Sequence, residues 1–462
     1  MAFGPVSRTM HPAPRAARIA SALLLGFFAV APAPVEAEGE SSSGPAAAAP
    51  AGAAGAATAR ASVESPVAVG RYVDLALAGN PSLASMRERI RMKESAAARA
   101  GALDDPKAWV GISNLPVDSW SFRMEDMTGK EVGLSQMFPF PGKRKRRTDV
   151  AAKEKEQTEF DLQEMRNMLR ADVTMAYAEL AAVRKQADAV RRSREILKEI
   201  IAVSQEMYAV GKVPQSDVHR GQVEFEKMRE MLLMFDGRER SLSIRLNTLA
   251  ALPPGQPVPP LDNLAELPVT RTGDELLALY TDNRPARKAL LARVRKGEAS
   301  VAMARSEYYP DVEVSASYMQ RDAMPDGTRR SDMFSSMVLL TLPVWRAAKL
   351  DPAVREMTAE REMARRDLEA LDLEAANAIG SALAAIESRL AVAALIRTTS
   401  VPHAETAFET TLASYRVGKV DFPMLMDSIM NVLSLRRNYE EMVGDLHMQR
   451  ARLEAAVGKE LD

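Results

Sequence analysis

The chain has 462 residues, a net charge of −1, 47% apolar and 27% charged residues, and no cysteine. A balanced charge excludes a nucleic-acid partner held on a basic surface, the apolar share excludes a disordered chain, and the missing thiols exclude disulfides and any lipid anchor attached through cysteine. Aromatics are scarce at 5% and methionine abundant at 26 residues, a composition that suits helices.

Residues 1–37 read as a signal peptide: Arg8, Arg15 and Arg18 precede an apolar stretch from Ile19 to Val30, and Val35-Glu36-Ala37 offers a cleavage site. Residues 38–70, rich in Ala, Gly, Pro and Ser, read as a disordered leader. After that the chain says the same thing twice. Tyr208-Ala209-Val210-Gly211-Lys212-Val213 returns as Tyr415-Arg416-Val417-Gly418-Lys419-Val420, and Met137-Phe138-Pro139-Phe140 is echoed by Thr341-Leu342-Pro343-Val344 at a near-constant offset. Such self-similarity marks a duplicated structural unit. Repeat 1 is expected over 71–251 and repeat 2 over 272–462. They are joined by a linker, 252–271, whose prolines cannot enter a helix.

In repeat 1 a helix leads to two strand segments, 107–124 and 130–140, then a long helix over 142–210, a tip at 211–213 and a helix over 214–251. Between Arg144 and Tyr208 there is no Pro or Gly, and apolar residues such as Leu162, Met165, Leu169, Val173 and Ala176 recur in steps of three and four. A helix of ~65 residues is ~95 Å long at ~1.5 Å per residue, which suits a coiled-coil rod or a helical tube and not a single globular core. Repeat 2 follows the same order. Helices precede strands at 309–321 and 332–345, a long helix over 351–417 interrupted only by Gly380 and Pro402, a tip at 418–420 and a helix over 421–458. Apart from the signal, no stretch is uninterruptedly apolar over the ~18 residues of a membrane-spanning helix.

The strand segments alternate with period two, as in Asp311-Val312-Glu313-Val314-Ser315-Ala316-Ser317-Tyr318. Val132, Leu134, Phe138 and Phe140 share one face of one segment, and Phe334, Val338, Leu340, Leu342 and Val344 one face of another. Runs of about ten residues, apolar on one side, match a strand crossing a bilayer in a barrel. Trp109, Trp120, Tyr309, Tyr318, Phe138, Phe140 and Trp345 lie in or beside these strands and are expected as membrane-interface aromatics. Four strands cannot close a barrel, and open edges in lipid leave costly unpaired backbone groups, so several chains must share one. The alternative is a soluble periplasmic coiled-coil adaptor or scaffold, which has no need of strands of bilayer length.

On this plan the chain resembles the TolC family of outer-membrane efflux channels over nearly everything after residue 70. Gly133-Leu134-Ser135-Gln136-Met137-Phe138-Pro139-Phe140-Pro141-Gly142-Lys143-Arg144 resembles the strand-to-helix junction of the heavy-metal branch, and Ser414-Tyr415-Arg416-Val417-Gly418 with Asp427 resembles the second helix–turn–helix tip. The resemblance implies a mainly α fold with a membrane β-barrel, a homotrimer of four strands per protomer making a 12-stranded barrel in the outer membrane, and a duplicated α-helical barrel in the periplasm. It also implies a passive exit duct partnered by a periplasmic adaptor and a proton-driven inner-membrane pump of the RND type, with metal ions as the expected cargo.

The tips, Gly211, Lys212, Val213, Gly418, Lys419 and Val420, are expected to meet the adaptor. The resemblance places Tyr415 and Asp427 at a periplasmic gate. Met424 and Val420 stand where relatives carry an acid and an arginine. Asp421 offers a replacement charge, with a plain helix N-cap as its other role. Met424, Met426 and Met430 suggest a soft-metal ligand set, although methionine serves more often as core filler. The basic run Lys143-Arg144-Lys145-Arg146-Arg147 is expected at the membrane face, against lipid headgroups. The four histidines have no metal-ligand spacing and no nucleophile motif appears, so neither an enzyme, a cofactor nor a metal site of the protein's own is expected.

Overall fold

A run without helix breakers becomes one continuous helix, α3 (Lys143–Ala209, 67 residues), roughly 100 Å long at ~1.5 Å per residue. It belongs to a computed structural model that describes residues 67–461. The expected signal peptide and nearly all of the leader lie outside the described residues. Around α3 are α1 (Val69–Gly79), α2 (Pro81–Ala100), α4 (Gln215–Leu249), α5 (Gly273–Asn283), α6 (Pro285–Ser306), α7 (Asp351–Leu395), α8 (Val401–Arg416) and α9 (Phe422–Val457). The first half of α3 packs on α2 and α6, with cross-helix pairs Lys93–Glu154 and Arg284–Glu164. The second half packs on α4 and α9. Gly444 of α9 lets that helix approach closely, since a Cβ there would lie 2.5 Å from the Cβ of Ala182.

The second long helix is less uniform than the first. It runs through Gly380 without a break, but π-type turns occupy Arg346–Leu350 and Ile396–Ser400. Each wide turn ends two residues before a proline, Pro352 or Pro402. Proline offers no N–H and its ring crowds the carbonyl one turn back, and a widened turn relieves both.

Apolar burial is spread along the helices in three clusters. One joins α1, α3 and α4 around Tyr72 and Tyr177; one lies at the tip around Tyr415 and Phe422; and one joins α5, α7 and α9 around Tyr280 and Ile379. The proline-rich linker is pinned rather than loose. Arg184 donates to the carbonyls of Val258 and Pro259, and the Tyr177 hydroxyl accepts from the Asp262 N–H at 2.8 Å while donating to the Val67 carbonyl at 2.7 Å. Burial pushes the Tyr177 phenol up to about 12. His447 contacts the Ala265 carbonyl through Nε2 at 2.7 Å, and burial lowers its pKa.

The strands β1 (Lys107–Ser113), β2 (Gly129–Phe138), β3 (Asp311–Gln320) and β4 (Met333–Thr341) form one antiparallel sheet in the order β1-β2-β3-β4. Three strand ends fall short of expectation. β1 stops at Ser113 and not near 124, because Asn114 (φ 55°) and Trp120 (φ 49°) take left-handed backbone and Pro116 lies between them. β2 and β4 stop before Pro139 and Pro343, residues with no N–H for the ladder. The segment 114–128 is therefore a loop, and it is knitted to the loop 321–332. Arg123 donates to the Ala323 carbonyl at 2.9 Å, Arg321 to Asp126 at 3.1 Å and Arg330 to Phe122 at 2.6 Å.

Cross-strand partners share a face, so the register assigns both sides of the sheet. Val110, Val132, Tyr318 and Phe334 fall on one side, as do Phe138, Val312 and Leu340. Most of this apolar face is open, with Val110 87%, Phe334 73% and Val338 64% exposed. The opposite side carries Glu131, Glu313, Ser315, Ser317 and Ser335 together with Met137, Met319, Met333, Met337 and Leu339. Trp109 falls on this second side, away from the open apolar face. It pairs with Gly133, and its ring occupies the space a Cβ at 133 would need. Tyr318 and Phe138 lie on the apolar face, Phe140 stacks on Tyr309 at 4.5 Å, and Trp120 and Trp345 are exposed beyond the strand ends.

One helical segment departs from expectation in hydropathy. The continuous helix Arg346–Arg416 contains an 18-residue window of mean hydropathy 1.7, apolar and long enough to cross a membrane, and only 28% of that window is buried within the chain. Arg389 in this stretch pairs with Asp445 of α9 at 3.4 Å, so the helix runs beside charged groups.

The face assignment predicts opposite outcomes for two aspartates. Val314→Asp should cost up to a few kcal/mol per subunit by placing a carboxylate in lipid and should deplete the oligomer band on an unheated gel of membrane extracts. Ser335→Asp, on the polar face, should leave that band at wild-type intensity.

Candidate functional site

Both helix–turn–helix tips use the same backbone device. Gly211 (φ 72°) and Gly418 (φ 77°) take the left-handed conformation that ends a helix at low cost. In the first tip Gly211 N–H donates to Tyr208 and Lys212 N–H to Met207, both at 2.9 Å. In the second Gly418 N–H donates to Tyr415 and Lys419 N–H to Ser414, again both at 2.9 Å. The doubled bonds close the last turn and aim the following helix back along the first.

The exposed side chains at the tips differ from those singled out in the sequence. Lys212 and Lys419 are exposed, whereas Val213 and Val420 are half-buried against the tip cluster. The open apolar residues are Val210 (69% exposed) and Val417 (68%), one place before each glycine. Their matching positions in the two repeats were the available signal.

Tyr415 does not line an opening in this chain. It is 1% exposed, its hydroxyl lies 3.0 Å from Ser204 Oγ of α3, and its ring meets Phe422 edge-on at 5.8 Å. It ties α8 and α9 to α3. The counterpart Tyr208 is 46% exposed. Nothing in the sequence marked Ser204, a mid-helix serine.

Asp421 caps α9, its side chain accepting from Met424 N–H at 3.4 Å. Asp421, Met424 and Asp427 are all exposed and follow one another at three-residue spacing along one side of the helix. The methionines do not converge: Met424 is open, Met426 buried and Met430 half-buried. Among the described residues no group of three His, Asp or Glu side chains is arranged to hold a metal. Between α4 and α9 lies an open groove of about 620 Å³, lined by Ser216, His219, Val223, Phe422, Met426 and Asp427.

Asp217 escaped sequence reading. It is buried in the first turn of α4, and burial raises its pKa, opposed by Arg220 and Ser216 and reinforced by Asp421. Its charge in turn adds to the burial that raises the Tyr415 phenol.

At the other end of α3, the basic run divides. Lys143 is buried, 2.9 Å from Asp311 and 3.1 Å from Glu307. It locks the helix start to the foot of β3 and is not available to headgroups. Arg144, Lys145 and Arg146 are exposed.

A family model described as "Outer membrane efflux protein" matches residues 72–252 and 276–459. The chain belongs to the outer membrane efflux protein family. It is thus an outer-membrane channel, passive and not an enzyme, and the soluble-adaptor alternative falls. Members of this family form trimeric channels that work in tripartite efflux systems. The cobalt-zinc-cadmium resistance protein CzcC of Cupriavidus metallidurans is 22% identical over 403 residues, covering 85% of this chain and 90% of that protein. Among solved structures, the outer-membrane channel OprN superposes with a TM-score of 0.71 at 18% identity, over 84% of this chain and 89% of its own. VceC of Vibrio cholerae gives 0.71 at 19% identity, over 85% and 97%, and the transmembrane channel CusC 0.70 at 15%, over 85% and 92%.

The raised Asp217 pKa has a pH signature. Ionising a carboxyl whose folded pKa is raised works against the fold, so the tip is firmest with Asp217 protonated and loosens as pH rises from the ordinary carboxylate range through the raised value. Hydrogen exchange at the α3–α4 turn, compared between about pH 4 and pH 7 and corrected for intrinsic rates, should show this loosening. Asp217→Asn should remove it; an unchanged pH response in that variant refutes the assignment. Tyr415→Phe should lower stability by about 1 kcal/mol through the lost hydroxyl contact, read as a modest fall in Tm.

Proposed function

We propose that three copies of this chain form one exit duct for metal cations, with twelve strands closing a barrel and the helices closing a tube. The observation that carries the reading is the sheet: apolar and open on one face, with the acids and most of the serines on the other among methionines and Leu339, and with β1 and β4 as its unpaired outer strands. Lipid does not tolerate such edges, and pairing β4 of one copy with β1 of the next removes them. The apolar stretch of Arg346–Arg416 fits the same assembly. Leu373 and Leu395 are 75% and 57% exposed there, and Leu233 and Met234 of α4 are 63% and 61% exposed. These faces bury each other when neighbouring protomers meet.

The cargo is assigned from two directions. The relative from Cupriavidus metallidurans is named for cobalt, zinc and cadmium resistance. In this chain Asp421 and Asp427 are exposed on α9 beside the tip, and threefold symmetry would turn each into a ring of carboxylates, which attracts cations and resists anions. Met424 stands between them. Tyr415 acts from behind this surface by fixing α8 and α9 to α3. The exposed Val210, Lys212, Val417 and Lys419 form the end that receives a periplasmic adaptor, with Gly211 and Gly418 setting the turns and Val213 and Val420 bracing them. A proton-driven RND-type pump in the inner membrane supplies the energy.

Reversal potentials in a planar bilayer test the gate. Asp421→Asn/Asp427→Asn should shift the permeability ratio toward anions several-fold, about the change expected from losing two carboxylate rings, while the oligomer stays intact. An unaltered ratio removes these residues from the conduction path. A deletion strain should lose tolerance to cobalt, zinc or cadmium; normal tolerance to all three overturns the cargo assignment.

A further inference from the structure

Cations of the helical body are of two kinds: some are paired, while others, such as Arg87, Arg99, Arg166 and Arg240, are exposed and well separated from one another in sequence. Lys155 with Glu94, Arg238 with Glu179, Arg293 with Asp367 and Arg436 with Glu405 all meet carboxylates within 3 Å. Where α3 and the second long helix leave the sheet, unpaired cations stand next to one another. Arg144, Lys145 and Arg146 are exposed with no carboxylate at ion-pair distance among the described residues, and so are Lys107, Arg346 and Lys349. Arg144 donates to the Gly101 carbonyl at 2.7 Å, which fixes it without neutralising it. The nearby sequence also holds exposed acids, Asp104, Asp105, Asp149 and Asp351, but they are fewer.

These cations border the open apolar face of the sheet. Phe138, the last residue of β2, is 43% exposed on that face, and the Phe140–Tyr309 stack follows it. Beside the stack is a cavity of about 470 Å³ lined by Pro139, Phe140, Pro141, Arg144, Lys145 and Thr148. One wall is apolar and continuous with the strand face; the other is cationic. In repeat 2, exposed Trp345 directly precedes exposed Arg346.

We infer that this rim binds the phosphates of anionic phospholipids in the leaflet nearest the helices, with acyl chains lying against the strand face. A phosphate needs donors and positive charge, supplied by Arg144, Lys145 and Arg146. The attached chains need an apolar surface, supplied from Phe140 upward. A protein partner would lack the second match, and a free anion would leave the apolar wall unused. Lys143 takes no part, because its charge is spent on Asp311 and Glu307. The inference rests on the strand face lying in lipid, which the oligomer band checks separately.

The assembled channel, purified in mild detergent, is incubated with phosphatidylglycerol or phosphatidylcholine, and retained lipid is counted by native mass spectrometry. The wild type should keep phosphatidylglycerol preferentially, with the preference fading in high salt. Lys145→Gln/Arg146→Gln, which breaks no bond within the chain, should weaken that preference by about fivefold per removed cation and leave phosphatidylcholine retention unchanged. Lys227→Gln/Arg366→Gln, removing paired cations of the helical body, should behave as wild type. Equal retention of both lipids by the wild type overturns the inference. So does a full preference in Lys145→Gln/Arg146→Gln with its oligomer intact, an equal loss in Lys227→Gln/Arg366→Gln, or displacement of the lipid by inorganic phosphate alone.

Discussion

Backbone polar groups that have no water must find one another, and that constraint organises this chain. A strand in hydrocarbon presents an N–H and a C=O at every residue, each costing several kcal/mol when unpaired. The central strands β2 and β3 satisfy theirs on both sides, and their pairing joins the two repeats directly, Val132 against Tyr318 and Gln136 against Val314. β1 and β4 satisfy only one side each. Helices carry no such debt, since each closes its own bonds, so the α-helical part can end in solvent and tolerate an exposed apolar seam. The sheet is the part that makes assembly obligatory.

Duplication gives the two halves the same plan, and the differences between them carry the specialisation. The glycine turns are alike to the hydrogen bond. The tyrosines before them are not: Tyr415 is buried on Ser204 and Phe422, while Tyr208 is open. The long helices differ too, since α3 is unbroken and its counterpart absorbs two prolines in widened turns. Asp217 and Asp421 begin the returning helices of the two tips, and the charge of Asp421 adds to the burial that raises the Asp217 pKa.

The long helices, the alternating strands and the repeat were legible because period and helix-breaker content are local properties of the chain. The sides of the sheet followed from alternation, and so did the apolar face of Val132, Leu134 and Phe138. An aromatic near a strand end suggests a membrane interface, but the side that Trp109 occupies is set by its register against Gly133, which its neighbours in sequence do not reveal. Segment 120–124 was misread as strand because its residues are aromatic and apolar; Asn114, which tolerates left-handed backbone, and Pro116 were the turn signal, while the left-handed Trp120 had none. Lys143 looked like the first of five equivalent cations, and only the fold brings Asp311 and Glu307 to it. Ser204 and Asp217 acquire meaning from helices distant in sequence, so no reading of their neighbours could mark them.

The distribution of charge ties these parts together. Pairing along the helices lets long charged side chains cover apolar stems without leaving a net field, which suits a wall in water. Near the sheet the pairing stops on one side of the sequence and tightens on the other: Lys143 is buried between two acids, and the next three residues face out unpaired. One buried pair fixes where the helix begins, and that fixes where the exposed cations stand relative to the last apolar strand residues. The same short segment, Phe138 to Arg146, therefore ends a strand and starts a helix of 67 residues. Shifting its register by one residue would swap Lys143 with Arg144 and lose both boundaries.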